Sequence, residues 1–157
     1  MELYLMQHGE ARSKEEDPDR PLTDAGQGAV QRVARTAAGL GLDLDAIYHS
    51  GILRARQTAE ILANQLGVQP RVQERAGLRP MDPVVPIVDW LMGQAAEDKP
   101  LALVGHLPFL DHLASRLVAG DEGAQVLAFR MGGLVKLVPK QQGVGFAIAW
   151  VLTPDLA

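Results

Sequence analysis

The 157-residue chain is 47% hydrophobic and 22% charged, enough apolar material for a single compact domain over residues 1–157 with its own core. Its formal charge of −4, without a basic run, argues against general nucleic-acid binding, and its apolar runs are too short to span a bilayer. The absence of cysteine removes disulfides, thiolate metal sites and a cysteine nucleophile together.

Met1 is followed at once by Glu2 and a strand pattern, so no signal peptide and a cytoplasmic location are expected. Leu3 to Gly9 reads as a short apolar strand that stops at a glycine. In an open α/β sheet, ligands bind at the carboxyl ends of strands, and His8 falls at such an end. Gly9 lets the backbone turn beside it without a Cβ. Ala11 to Pro21 is polar and carries Arg20 in a loop. Thr23 or Asp24 can cap a helix whose inward face holds Val30, Val33, Ala34, Ala37 and Leu40, ending near Gly39-Leu40-Gly41.

Ala46 to His49 predicts a second strand, and Ile52, Ala55, Ala59, Leu62 and Leu66 a helix closed by Gly67. A brief strand around Arg71-Val72-Gln73 precedes a helix that starts at Asp82-Pro83 or Pro86 and carries Val88, Leu91 and Met92. Leu101 to Gly105 is continuously apolar, as befits a central strand buried on both faces, and it delivers His106 to its end. Pro108 suits the first turn of the next helix, with Leu110, Leu113, Ala114, Leu117 and Val118 inward until Gly120. Three strands are expected in the tail, over 126–131, 134–138 and 144–152, joined as hairpins by Gly132-Gly133 and by 140–143. The alternation of strands and helices predicts a three-layer α/β/α sandwich with a mostly parallel sheet and antiparallel C-terminal strands.

His8 and His106 thus end separate central strands, each beside a glycine. No histidine pair has close ligand spacing and no carboxylate-histidine motif occurs, so no metal site is expected. His112 falls within a helix and is expected on the surface, and His49 is expected to serve packing. Arginines in the first turns of a helix that follows a strand end favour an anion, through backbone N–H groups and a guanidinium fork. Arg54 and Arg56 diverge on that helix, and Arg54 is assigned to the pocket, Arg56 to the surface. Arg20 can fold back over the site.

These residues resemble the histidine phosphatase (phosphoglycerate mutase-like) superfamily, which carries an Arg-His-Gly triplet after its first strand with histidine as phosphoryl acceptor. Here the triplet reads Gln7-His8-Gly9, followed by Leu22-Thr23-Asp24-Ala25-Gly26, the Ser50 to Thr58 segment with Arg54, and Gly105-His106. Arg20-Pro21-Leu22-Thr23, Gly105-His106-Leu107-Pro108 and the short length are most similar to the small SixA-type phosphohistidine phosphatases. The resemblance implies catalysis by His8, Arg54 and His106. The phosphate would be held by Gln7, Gly9, Arg20, Arg54 and His106, without metal or organic cofactor. The implied partner is a phosphohistidine-bearing protein domain or a small phosphorylated substrate, with a phosphate or sulfate anion in the pocket and no nucleic acid or membrane.

Two departures bear on activity. Gln7 replaces the family arginine, which costs a charged contact worth ~1–3 kcal/mol, or about one to two decades in rate. Larger members carry a glutamate proton donor in a Leu-x-Glu motif where this chain reads Leu78-Arg79-Pro80, leaving Asp82 or Glu10 as substitute acids. A phosphohistidine depends less on such a donor, because its P–N bond is labile and imidazole protonates near neutral pH. Alternatives are a phosphomonoesterase for a small metabolite and a binder of phosphorylated ligands without turnover.

Overall fold

The computed structural model describes residues 1–94 and 97–157. Its strands are β1 (Leu3–Gln7), β2 (Ala46–His49), β3 (Val72–Glu74), β4 (Leu101–Gly105), β5 (Leu134–Pro139) and β6 (Phe146–Leu152). They form one sheet in the order β3-β2-β4-β1-β5-β6. β1 through β4 pair in parallel, while β5 runs antiparallel to both β1 and β6. The two innermost strands, β4 and β1, are buried along their whole length, so both faces must be covered.

Strand alternation decides which helices cover which face. Leu3, Leu5, Leu101 and Leu103 pack against helices α3 (Val85–Gln94) and α4 (Phe109–Ala119). Tyr4, Met6, Ala102 and Val104 pack against α1 (Asp24–Gly39) and α2 (Leu53–Leu66). Burial of side chains such as Leu5 and Met6, both fully inaccessible, contributes about 1.5–3 kcal/mol each. The result is the expected three-layer sandwich. No helix among the described residues is long and apolar enough to cross a membrane.

Local signals act where they stand. The Thr23 hydroxyl accepts the Gly26 N–H at 2.9 Å and caps α1. Gly67 and Gly120 close α2 and α4 in the left-handed conformation. Pro86 is the second residue of α3, where no helical N–H bond is required.

Elsewhere the structure departs from the expectations. Leu40 is 61% exposed, because α1 stops just before it and Gly41 turns the chain at φ 79°. Met92 is also exposed: Ile87 and Leu91 define the buried stripe of α3, and Met92 lies farther round the helix. Residues 126–131 do not form a strand. β5 is already paired on both sides, so no ladder is free beside it, and Val126, Leu127 and Phe129 pack instead on the α3/α4 core. Gly132-Gly133 is accordingly no hairpin joint; the Gly132 N–H reaches the Gln7 carbonyl at 2.9 Å. The β5–β6 hairpin does form, but Val144 lies exposed in its turn between the positive-φ residues Gly143 and Gly145.

Candidate active site

Parallel pairing of β1 with β4 sets Gln7 opposite Gly105, so His8 and His106 leave the sheet side by side. Their ring centroids are 5.1 Å apart, tilted by 52°. The His8 N–H also donates to the Gly105 carbonyl at 2.9 Å.

His8 Nδ1 lies 2.7 Å from the Gly9 carbonyl oxygen. A carbonyl only accepts, so Nδ1 carries the proton and Nε2 keeps its lone pair. Burial lowers the His8 pKa; the bond to Gly9 opposes this, and the Arg54 and Arg20 charges reinforce it. The imidazole is therefore held neutral near pH 7.

His106 is almost wholly buried, with Nε2 2.7 Å from the Ser50 hydroxyl. Burial pushes its pKa down to about 3, assisted by His8, Arg54, Arg79 and Arg20. Ser50 is fixed in turn, because its oxygen accepts the Ile52 N–H at 3.3 Å where α2 begins.

The arginines separate as helix geometry requires. Arg54 is partly buried and its Nε has no hydrogen-bond partner. Arg56 is exposed and binds Glu60 at 3.1 Å on the helix surface. Arg20, at φ 50°, donates through Nε to the Arg12 carbonyl at 3.1 Å, and its loop brings its charge to bear on His8, Arg54 and His106.

Among the described residues, the buried side-chain polar atoms without a partner are Gln7 Oε1, Arg54 Nε and His106 Nδ1. All three belong to this cluster. Buried polar groups are normally satisfied, and their convergence in one place is the mark of a site built for a polar ligand.

The carboxylates have other duties. Glu10 Oε1 accepts the Thr23 hydroxyl at 2.9 Å, and Asp82 Oδ2 accepts the Arg79 N–H at 2.9 Å. Neither is among the charges acting on His8 or His106. His49 is buried with Nδ1 accepting the Gly51 N–H at 3.0 Å, the packing role expected of it, and His112 is exposed. Among the described residues, no group of three His, Asp or Glu side chains is arranged to hold a metal ion.

Three contributors were not singled out from the sequence. Ser50 reads there as punctuation before a helix, although its place at the end of β2 puts it beside β4. Thr58 lies four residues after Arg54 on the same face of α2; its hydroxyl donates to the Arg54 carbonyl at 2.8 Å and accepts the Gly9 N–H at 3.0 Å. Arg79 adds positive charge near His106 from the loop between β3 and α3. A cleft of about 560 Å³, lined by Leu107, Pro108, Asp111, Gln125, Leu127 and Phe129, adjoins the residue that follows His106.

Two imidazoles stand side by side at the carboxyl edge of a doubly covered sheet, under the influence of the Arg20, Arg54 and Arg79 charges, an arrangement suited to an anion. The model of the histidine phosphatase superfamily (branch 1) matches residues 3–84, and the chain belongs to that superfamily. An uncharacterized protein of Picosynechococcus sp. is 41% identical over 142 residues, covering 87% of this chain and 84% of the relative. The phosphohistidine phosphatase SixA of Escherichia coli is 25% identical, covering 98% of this chain and 94% of the relative. The solved structure of the protein histidine phosphatase SixA complexed with tungstate has the same fold, with a TM-score of 0.86 at 23% identity, covering 99% of this chain and 98% of that one.

Proposed function

We propose that the protein is a phosphatase acting on phosphohistidine in a protein domain, through a covalent phosphohistidine on His8. One observation carries the reading above all. The Nδ1 contact with the Gly9 carbonyl leaves His8 Nε2 as an unprotonated nucleophile beside His106, Arg54 and Arg20. In the first step Nε2 attacks phosphorus in line, the P–N bond to the substrate imidazole breaks, and that imidazole takes a proton from solvent. Water then attacks the same phosphorus, the bond to Nε2 breaks, and orthophosphate leaves as the proton returns to solvent.

Arg54, Arg20, Gln7 and His106 hold the phosphoryl oxygens, with the Gly9 backbone close by. The cationic groups stabilise the charge spread over those oxygens in the transition state, the main source of rate in phosphoryl transfer. The reading needs no metal or cofactor. Both Glu10 and Asp82 are engaged in loop contacts, which favours a leaving group that needs no strong acid, as in phosphohistidine, over an alcohol. The adjoining cleft offers room for polypeptide flanking the phosphorylated residue. The SixA structure is complexed with tungstate, a tetrahedral oxyanion, which supports an oxyanion ligand for this fold.

The test is phosphate release from a phosphohistidine-bearing protein, run beside para-nitrophenyl phosphate, with the intact protein and His8→Ala. Turnover of the first substrate that vanishes in the variant is expected. Faster turnover of the aryl ester would favour the small-metabolite phosphomonoesterase, and turnover of neither would leave a phospho-ligand binder.

A further inference from the structure

Gln7 is the last residue of β1, and strand alternation sets which face of the sheet it shares. Leu3 and Leu5 face α3 and α4, so Gln7 shares their side, whereas His8 has left the strand and its ring lies beside that of His106. Arg54 and Thr58 approach from the α2 side. On Gln7's side the site has a neutral amide, whose Oε1 is buried without a partner.

The loop between β3 and α3 closes that side. Leu78 is buried in the same cluster as Leu5 and Leu103, and its carbonyl would lie 3.5 Å from a Cβ on Gly105, the residue paired with Gln7. Arg79 follows directly. Its backbone is pinned by two bonds with Asp82, the Arg79 N–H to the carboxylate at 2.9 Å and the Asp82 N–H to the Arg79 carbonyl at 3.1 Å. Its side chain is exposed and forms no ion pair among the described residues. A cation fixed at its base, with no carboxylate partner, at the rim of an anion site is poised to take the anion.

We propose that Arg79 is a phosphoryl-binding cation that enters the site on Gln7's face of the sheet, supplying the positive charge that the amide at position 7 lacks. Arg79 is already among the charges that keep His106 neutral, as this position requires. The proposal rests on the phosphoryl site described above and adds a contact on the side opposite Arg54. A guanidinium on each side of the phosphoryl group would divide its oxygens between them.

The experiment is calorimetric titration of inorganic phosphate into the intact protein, Arg79→Ala, Arg79→Lys, Gln7→Arg and the double variant Gln7→Arg/Arg79→Ala, all at one low ionic strength. Because both bonds that pin the loop use the Arg79 backbone, the alanine variant keeps them. Arg79→Ala is expected to weaken phosphate binding about tenfold or more, Arg79→Lys by less, and Gln7→Arg to restore most of the loss in the double variant. The His106 titration followed by NMR should move upward in Arg79→Ala. Equal binding by the intact protein and Arg79→Ala would overturn the assignment, as would an identical gain from Gln7→Arg in both backgrounds. If the intact protein binds no phosphate, the phosphoryl-site reading falls together with this one, a result separate from equal binding.

Discussion

Ser50 Oγ stands 2.7 Å from His106 Nε2, which ties the end of β2 to the end of β4 through a single buried hydrogen bond. Because the Ser50 oxygen also receives the N–H of Ile52, the residue just before α2, the hydroxyl cannot swing away without giving up that bond at the entry to the helix that carries Arg54. The position of one imidazole and the start of the arginine helix are therefore set by the same atom.

Ser50→Ala should leave His106 free to rotate and its Nε2 buried without a partner. A decline in kcat of about tenfold to a hundredfold is expected, with a smaller change in KM. Steady-state kinetics on a phosphohistidine protein would check this, alongside the NMR titration of His106, which should shift relative to the intact protein. Full activity with an unchanged titration would mean that Ser50 does not position His106.

The backbone scaffold of the site was legible in the sequence because it depends on local signals. Apolar runs ending in glycine placed His8 and His106 at strand ends, and divergence at two-residue spacing separated Arg54 from Arg56. What was not legible depends on which strands are neighbours. Ser50 matters only because β2 lies beside β4, and Arg79 only because Leu78 is anchored against Gly105. The stretch 126–131 failed for the same kind of reason: its composition suits a strand, but the sheet had no edge to offer it beside β5. Leu40 shows the converse, a periodic pattern read one residue past the place where the helix stops.

Acid should destabilise the protein through its buried imidazoles. In the unfolded chain a histidine takes up a proton as pH falls through about 6.5, whereas folded His106 resists until about 3. The unfolded state thus binds more protons across that window, and stability falls as pH drops, by up to about 1.4 kcal/mol per pH unit for a fully unmatched proton. Its full value is present above about pH 6.5. The lowered pKa of His8 acts in the same direction. Urea unfolding between pH 8 and pH 5 should show this slope, and His106→Asn should flatten it. Inorganic phosphate should also flatten it, because a bound anion favours the protonated imidazole. A slope identical in the intact protein and His106→Asn would contradict the assignment.

Thr58→Val removes a hydroxyl that joins two parts of the site, since it holds the Gly9 N–H and the Arg54 carbonyl together. The side chain is fully buried, so the Gly9 N–H loses its acceptor without access to water. The expected cost is about 1–3 kcal/mol of stability, with a fall in kcat because the Gly9 carbonyl no longer holds His8 in one tautomer and orientation. Denaturant melts and kinetics on the same preparation distinguish the two effects. Thr58→Ser keeps the hydroxyl and should retain most of the rate, so a serine variant as slow as valine would argue against the hydrogen bonds as the cause.

Gly26 and Gly28 lie on the same helix, and replacing each by alanine should have opposite signs. A Cβ on Gly26 would run into the backbone of Glu10, two residues beyond His8, where neither partner is a flexible side chain. The same interface is tight from the other direction, because a Cβ on Gly9 would lie 2.7 Å from Val30 Cγ2 and 3.1 Å from the Gly26 carbonyl. Gly26→Ala must therefore push α1 away from the loop that carries His8, at a cost of about 3 kcal/mol and with loss of activity. At Gly28 the nearest atom is the Arg32 guanidinium at 3.9 Å, so alanine fits and should add about 0.5–1 kcal/mol through helix propensity, with activity unchanged. Thermal melts of the two variants beside the intact protein check the pair. Equal effects would mean that α1 and the loop after β1 are not in the close contact that fixes His8 over the end of the sheet.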